Sequence, residues 1–221
     1  MRRFNFYLML IAMTLFVGCK DDDPAVPSVK SELSYDALFS ELNFARTSPA
    51  EYAKLIEEML PYYNGNYLHY SDEIIYTNEG KAAAEEAIAA LKSQPPVSPL
   101  SINVGLNKAS QYHCDKQGIT GQTGHNSPDG KKPGDRMLIY GTFGTAYSFG
   151  ENIIYGPKTA RKVIIGLIID DGVKDRGHRI NIYEPSWTDV GFGWGYHKNY
   201  EIMCVMGFAS GYTANSSRVV F

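Results

Sequence analysis

Two neighbouring stretches organise the chain: SFGENIIYG at residues 148–156 and DDGVKDRGHRINIYEPSWTDVGFGWG at residues 170–195. They place carboxylates and an imidazole within a few dozen residues, among glycines that favour turns. A third stretch, GHNSPDG at residues 124–130, adds a second imidazole from just upstream. We expect their polar side chains to face one cleft, with the rest of the chain as scaffold. These side chains are His125, Glu151, Asp170, Asp171 and His178.

Length and composition indicate a single globular domain behind a leader. Of the 221 residues, 44% are hydrophobic and 13% are aromatic, so the chain can bury one sizeable core. The net charge is −3 at pH 7, and lysines and arginines form no cluster. Both features argue against a protein that binds nucleic acid through phosphate contacts. We therefore expect no nucleic-acid partner.

Residues 1–18 have the pattern of a lipoprotein signal peptide. Two arginines form a basic start, and the apolar run of residues 4–17 that follows is too short for a comfortable membrane span. A glycine then precedes Cys19, which resembles the acylated first residue of mature bacterial lipoproteins. An N-terminal anchor helix or ordinary secretion is the alternative interpretation.

Residues 19–33 are predicted to be an acidic, flexible tether that begins at the lipidated Cys19. Lys20 and three aspartates directly after the cysteine resemble the surface-export signal of Bacteroidetes lipoproteins. This pattern predicts an outer-membrane lipoprotein exposed on the cell surface, held to the membrane through the lipid on Cys19. A periplasmic or secreted location is the alternative.

Hydrophobic periodicity predicts a layered α/β arrangement in which helices cover a small sheet. Helices are expected at residues 34–47, 49–60, 79–92, 101–118 and 157–170. Strands are expected at residues 148–154, 190–196 and 201–209. Residues 61–78 and 119–150 show no clear period and are predicted to be loops. The first can include a short extended piece, and the second is long enough to be functional or mobile.

Four motifs occur in a fixed order along the chain, and together they resemble the CAP superfamily. This group contains the cysteine-rich secretory proteins, antigen 5 and pathogenesis-related proteins, also called SCP-like extracellular proteins; its bacterial lipoproteins are the most similar. The resemblance covers residues 34–213 and leaves residues 214–221 as a tail. It implies a three-layer α-β-α sandwich with a small, mainly antiparallel sheet and a surface cleft. The motifs are GHNSPDG with Asp135-Arg136 after it, GENI, DDGV with RGHR, and DVGFGWG.

In many members of that superfamily, two histidines and two acids line the cleft and can bind a divalent metal, often zinc. Carried over by position, three of these residues are His125, Glu151 and His178. Asp170 is the nearest match to the fourth, with Asp171 directly beside it. The resemblance thus implies a zinc site. The alternative is a pair of hydrogen-bonding histidines without metal, since the strong HExxH signal is absent.

Further side chains carry more than one interpretation. Cys114 and Cys204 can form a disulfide in an oxidising compartment or remain buried as free thiols. His113 is expected to be a core histidine with satisfied hydrogen bonds rather than a ligand. Arg179 is expected to pair with an acid of residues 170–175 or to hold an anionic ligand.

The preferred function is a binding or interaction module whose cleft holds a small apolar ligand or part of an extracellular macromolecule. The alternative is a metal-dependent, peptidase-like hydrolase with the histidines on zinc and Glu151 as the candidate catalytic base. A hydrolase needs a base distinct from the metal ligands and a donor for an oxyanion. Here the candidate metal ligands use up the acids, Glu151 included, and the sequence names no oxyanion donor, which favours binding. A structural or adhesive role comes third.

Overall fold

A computed structural model of the chain describes Pro27, residues 29–70 and residues 73–215. The proposed signal peptide, Cys19, most of the tether and most of the C-terminal tail lie outside the described residues, so those assignments stay predictions. Within the described residues the chain forms seven α-helices, one 3-10 turn and seven strands. None of these helices is both long and apolar enough to span a bilayer.

The helices confirm the five that periodicity predicts and add two short ones. The 119–150 segment, predicted to be a loop, contains α5 and the first half of a strand; α7 lies in the RGHR motif. Both extra helices have eight residues or fewer, too few turns for a hydrophobic period to be visible. The bounds are α1 Tyr35–Thr47, α2 Pro49–Glu57, α3 Lys81–Ser93, α4 Val104–Gly118, α5 Pro133–Tyr140, α6 Ala160–Ile169 and α7 Gly177–Tyr183.

Residues 63–70 and 73–76 form a three-stranded antiparallel sheet, so the predicted loop is wrong and the extended structure goes beyond the one short piece expected there. Its strands are β1 Tyr63–Asn64, β2 Tyr67–Tyr70 and β3 Glu73–Tyr76. On β2, Leu68 is buried, whereas Tyr67 is half exposed. Because the outward residues are tyrosines and isoleucines, the polar–apolar alternation that identifies a strand is missing here.

The central sheet has four strands in the order β4-β6-β7-β5. The pair β4–β6 is parallel, and the pairs β6–β7 and β5–β7 are antiparallel, which confirms a small, mainly antiparallel sheet. The strands are β4 Ser101–Ile102, β5 Gly141–Tyr155, β6 Asp189–His197 and β7 Glu201–Ala214. β5 begins seven residues earlier than predicted, and its pairing with β7 is irregular between Phe143 and Ser148.

Helices cover both faces of this sheet, which confirms the three-layer α-β-α sandwich. Along β7, Cys204, Met206 and Phe208 belong to the core shared with α1, α2, α3 and α6. Met203 and Val205 point the other way and pack with Cys114 of α4. This strict alternation is what a strand buried on both sides requires.

The glycines of DVGFGWG let α4 lie directly on β6. A Cβ at Gly191 would come within 2.2 Å of the backbone carbon of Leu106, and one at Gly193 within 2.3 Å of the Gln111 nitrogen. Any larger residue would push the helix away from the sheet. The motif therefore fixes how closely α4 approaches the sheet, and with it the position of His113.

Cys114 and Cys204 are both buried free thiols. They belong to apolar clusters on opposite faces of the sheet, so their side chains point apart. Burial raises the pKa of the Cys204 thiol to about 12. Of the two interpretations of these cysteines, the structure has the free thiols, both in their unreactive protonated form.

Candidate functional site

Glu151 of β5 and His125 form the first of two acid–imidazole pairs. Nδ1 of His125 lies 2.9 Å from Oε1 of Glu151. The carboxylate is only 4% exposed, whereas the imidazole is 51% exposed. Nη2 of Arg136, itself buried, donates to the other carboxylate oxygen, Oε2. A buried ion pair thus holds Glu151 and leaves the ring of His125 at the surface.

Arg136 also holds the loop that carries His125. Its Nη1 donates to the carbonyl oxygens of His125, at 2.8 Å, and Lys131, at 3.0 Å. The same nitrogen lies 3.2 Å from the Ser127 hydroxyl. One side chain on α5 therefore connects both ends of the loop to the acid on the sheet.

His113 completes this network from α4, and it is a core histidine as predicted. Its Nε2 lies 3.0 Å from the Gly124 carbonyl, which can only accept, so Nε2 carries the proton. Nδ1 then accepts from the Ser127 hydroxyl at 2.8 Å. Burial, and after it the charge of Arg136, lowers the pKa of His113 to about 4. The ring is neutral at physiological pH and supports the loop without a charge.

Asp170 and His178 form the second pair, at the turn between α6 and α7. Oδ1 of Asp170 lies 2.6 Å from Nδ1 of His178, and Oδ2 accepts from the backbone N–H of the same residue at 2.9 Å. Asp170 ends α6 in the left-handed conformation, with φ of 56°. Aspartate tolerates that region better than most residues because its side chain can hydrogen-bond locally. The turn thus points the carboxylate at the ring.

Asp171 serves the scaffold instead of the site. Its Oδ2 accepts from the backbone N–H of Asn78 at 2.6 Å, and its Oδ1 accepts from that of Glu79 at 2.8 Å. The carboxylate is therefore used to fasten the segment before α3. Of the two adjacent aspartates, Asp170 is the one beside His178.

Two asparagines join the pairs to one another. Asn152, next to Glu151 on β5, donates from Nδ2 to the His178 carbonyl at 2.9 Å. Asn181 of α7 donates to Oδ1 of Asn152 at 2.9 Å. α7 is thereby attached to the strand that carries Glu151. All four site residues that the sequence singled out are brought to this junction, as two pairs.

The hydrogen bonds fix the tautomer of both rings. An ionised carboxylate only accepts, so the Nδ1 atoms of His125 and His178 must carry protons. In a neutral ring, Nε2 then has a free lone pair. No side chain or backbone group among the described residues bonds to either Nε2 atom. The site thus offers two imidazole nitrogens, each oriented from behind by a carboxylate.

This arrangement fits a metal through nitrogen donors. In zinc sites, a carboxylate often accepts a hydrogen bond from the ring nitrogen that does not bind the metal. This bond fixes the ring and increases its basicity. Within residues 29–70 and 73–215, no group of three or more His, Cys, Asp or Glu side chains is arranged to hold one ion. Glu151 and Asp170 are engaged with the Nδ1 atoms, so the donors that the site offers a metal are the two Nε2 atoms.

Arg179 pairs with Glu86 of α3, and not with an acid of residues 170–175. Its Nη2 lies 2.6 and 2.7 Å from the two carboxylate oxygens of Glu86. Its Nη1 is buried without a partner in the described part of the chain. The predicted partner among residues 170–175 is therefore wrong, because the acid that pairs with Arg179 comes from α3.

Three residues of the site were not singled out by the sequence: Arg136, Asn152 and Asn181. Arg136 stands in the motif after GHNSPDG, and Asn152 follows Glu151 in GENI. A buried guanidinium and a buried amide both need hydrogen-bond partners, but this requirement does not name a partner far away in the sequence. Position within the motifs was the one available signal.

A model of the Cysteine-rich secretory protein family, CAP, matches residues 85–208, which is more than half of the chain. The sandwich and the paired site define the class of protein, and the match identifies the family: this chain belongs to the CAP, or cysteine-rich secretory protein, family. The Uncharacterized protein YkwD of Bacillus subtilis (strain 168) is 30% identical over 110 residues, 49% of this chain and 40% of YkwD. The chain thus spans less than half of that relative.

Two solved structures are similar to this fold at low sequence identity. An outer surface protein from Borrelia burgdorferi is 16% identical, with a TM-score of 0.43 over 52% of this chain and 80% of that one. An extracellular protein containing a SCP domain from Bacillus anthracis strain Ames is 18% identical, with a TM-score of 0.38. That match covers 57% of this chain and 37% of the other.

Proposed function

We propose that this protein is a binding module that holds a divalent metal through His125 and His178, with zinc as the preferred candidate. Through this site it would bind a small ligand or part of an extracellular macromolecule. The observation that carries the proposal is the repeated geometry of the two pairs. In each pair a buried carboxylate accepts a hydrogen bond from the Nδ1–H of the ring, at 2.9 Å for His125 and 2.6 Å for His178. In its neutral form, each ring therefore presents the lone pair of Nε2.

The chain's own residues have distinct roles in this proposal. His125 and His178 donate nitrogen lone pairs, while Glu151 and Asp170 hold the rings and balance charge. Zinc, when bound, supplies a Lewis acid that attracts a carbonyl or carboxylate group of the ligand. These two nitrogens would be the protein's share of the metal ligands, and a bound molecule would supply others. A ligand thus completes the site, which suits recognition.

A calorimetric zinc titration tests the metal. The protein would be the chain from residue 19 onward with Cys19→Ser, so that no lipid is attached. We expect binding that the His125→Ala/His178→Ala double variant loses. His69→Ala is the matched control, because His69 is exposed on β2 and has no part in the pairs. Zinc binding that survives the double variant would contradict the proposal.

The alternative, a metal-dependent hydrolase, is less well supported. Glu151 is its candidate base, but one carboxylate oxygen accepts from His125 and the other from Arg136. Both carboxylate oxygens are thus already engaged in the network that holds His125, which favours a positioning role for Glu151 over that of a base. A screen of peptide and ester substrates, with zinc added and then chelated, separates the two functions. Chelator-sensitive turnover that Glu151→Gln abolishes would favour the hydrolase.

We further propose that the protein is a lipoprotein on the outer face of the outer membrane, anchored through Cys19. The signal-like start and the acidic stretch after the cysteine support this location, and membership of a secretory family agrees with it. Labelling with a fatty-acid analogue should mark the wild type and not Cys19→Ser. Protease treatment of intact cells distinguishes a surface position, in which the domain is cleaved, from a periplasmic one.

A further inference from the structure

A cavity of about 250 Å³ lies beside α4, away from the two acid–imidazole pairs, and it shares no residue with them. Its walls come from the segment before α1, the second half of α4 and the end of β6. Among the lining residues are Val29, Cys114, Asp115, Ile119, Trp194 and Tyr196. An engineered cavity of about 150 Å³ is enough to bind benzene. This cavity therefore has room for an aromatic ring with a short side arm.

Asp115 gives the cavity its charge. No other Asp, Glu, Lys or Arg stands among the lining residues that the structure describes. Oδ1 of Asp115 accepts from the Gln111 amide at 2.7 Å, and the carboxylate has no salt bridge in the described part of the chain. Lys108 and Lys116 line a neighbouring hollow together with Asp115, but neither forms a salt bridge with it, so the acid is open to a cation in the cavity. A ligand that brings a positive charge would supply one.

Trp194 gives the cavity an aromatic wall. The ring of Tyr35 packs edge-on against it at a centroid distance of 4.9 Å, which fixes the indole in place. Tyr196 lies two residues further along β6 and also lines the cavity. The faces of aromatic rings attract cations, with an indole the strongest. Aromatic rings and an unbalanced carboxylate are the usual partners of an ammonium group.

The cavity can be entered from solvent, because Asp115 is exposed and Ile119 is 50% exposed. The segment before α1 forms another wall of the cavity. It is held in place because the Glu32 N–H donates to the Lys158 carbonyl at 3.0 Å. The charge therefore sits towards the mouth. The tryptophan and the buried Cys114 form the less polar interior.

We infer that this cavity binds a small organic cation, an amine with an aromatic or aliphatic body. The ammonium group pairs with Asp115, and the apolar body lies between Trp194 and Ile119. The site is independent of the histidine pairs and of any metal they hold. It gives the protein a second recognition surface, selective for positive charge.

Calorimetry with three probes of one shape tests the inference: phenethylamine, its neutral analogue 2-phenylethanol, and the anion 3-phenylpropanoate. The protein is again the chain from residue 19 with Cys19→Ser. We expect the amine to bind at least about tenfold more tightly than the alcohol, the usual scale for one charge-assisted contact, and the anion least tightly. Equal binding of amine and alcohol, or no amine binding, would overturn the inference.

Variants locate the binding. Asp115→Asn should weaken the amine about tenfold and leave the alcohol unchanged. Glu58→Gln is the matched control, since Glu58 is an exposed acid outside the cavity, and it should change nothing. Ile119→Lys places a competing cation at the mouth of the cavity and should abolish amine binding. Amine binding unaffected by both Asp115→Asn and Ile119→Lys would refute the assignment.

One further variant separates this inference from the proposed metal site. The His125→Ala/His178→Ala protein should bind phenethylamine as the wild type does. If amine binding disappeared with the histidines, the probe would be bound at the pairs and the inference would be wrong. Loss of zinc binding with retained amine binding is the expected combination.

Discussion

The two acid–imidazole pairs make the same hydrogen bond with different supports. In the first, Glu151 comes from the sheet and His125 from a loop 26 residues earlier, and the buried Arg136 joins them. In the second, Asp170 and His178 are eight residues apart, and a single helix-to-helix turn brings them together. One pair depends on a long-range ion network and the other on local backbone geometry.

The exposure of the rings follows from these supports. The imidazole of His125 is 51% exposed. Arg136 holds its loop through the backbone carbonyl and not through the ring. The imidazole of His178 is 25% exposed, since the turn holds it from two sides through its side chain and its backbone N–H. The first ring therefore has more room to move towards a ligand. The second is the fixed side of the site, and substitutions should affect the two pairs differently.

The largest expected effect comes from removing Arg136. Arg136→Ala leaves the buried carboxylate of Glu151 without its counter-charge, which typically costs about 3–5 kcal/mol. Urea denaturation measures the loss in the free energy of unfolding. The control is Lys54→Ala, whose pair with Glu51 is exposed to solvent and contributes little to stability. Equal costs for both variants would contradict a network that supports the first pair.

The next effect is a pH dependence that belongs to the first pair alone. The pKa of His113 is lowered to about 4 in the fold, against 6.5 ordinarily, mainly by burial. Between these values the unfolded chain binds a proton that the folded one refuses, so stability falls as pH decreases from about 6.5 to 4. The full shift corresponds to roughly 3 kcal/mol.

Comparing wild type with His113→Gln isolates that contribution, because glutamine keeps a donor and an acceptor but does not titrate. Urea midpoints at pH 7 and pH 4.5 should differ less in the variant than in the wild type. Identical pH dependence in both proteins would show that His113 is protonated within the fold. The description of the network behind His125 would then be wrong.

The second pair should respond to the backbone rather than to a distant charge. Asp170→Ala removes two acceptors and places alanine in a left-handed conformation, for an expected cost of about 2 kcal/mol. Asp170→Asn keeps one acceptor and tolerates the conformation, so its cost should be about half of that. Both are measured by urea denaturation. An alanine variant as stable as the asparagine variant would show that the turn does not depend on this side chain.

The smallest expected effect lies one layer behind the second pair. Arg176 donates to the Asp170 carbonyl at 2.7 Å and to both oxygens of Glu79. This hydrogen bonding, together with the Gly172 N–H, lowers the pKa of Glu79 to about 2. The stabilisation is present above pH 4.5, the ordinary value, and is lost as pH falls towards 2.

An NMR titration of the side-chain carboxyl carbons checks this pKa directly. The Glu79 signal should titrate near pH 2 in the wild type and return towards its ordinary range in Arg176→Ala. A Glu79 signal that titrates near pH 4.5 in the wild type would place Arg176 elsewhere. The turn that carries Asp170 would then have to be held without it.

Sequence reasoning was sufficient where a pattern is long. α6 and the strands β6 and β7 have apolar residues repeated over ten or so positions, and their predicted bounds agree with the structure to within a few residues, except that β7 extends to Ala214. Periodicity did not predict the sheet of β1, β2 and β3, because tyrosine and isoleucine occupy its exposed face. Ile74, for example, is 67% exposed. Exposed apolar residues remove the period on which the prediction depends.

The site was predictable in its members and not in its pairing. Motif order and resemblance selected His125, Glu151, Asp170 and His178 together, and left Asp171 as an alternative to Asp170. A left-handed φ of 56° at Asp170 decided between the two aspartates, and no residue pattern encodes that angle uniquely. The sequence did not show that each acid bonds to Nδ1 of an imidazole. For the first pair this depends on contacts between distant segments, and for the second it depends on the geometry of one turn.

The most direct test of this account is an NMR measurement of the ring nitrogens of His125 and His178, with and without zinc. The account predicts that both neutral rings carry the proton on Nδ1, and that zinc shifts both Nε2 signals while the Nδ1 protons stay in place. Rings protonated on Nε2, or Nε2 signals that zinc leaves unchanged, would contradict it. The carboxylates would then not hold the rings for a metal.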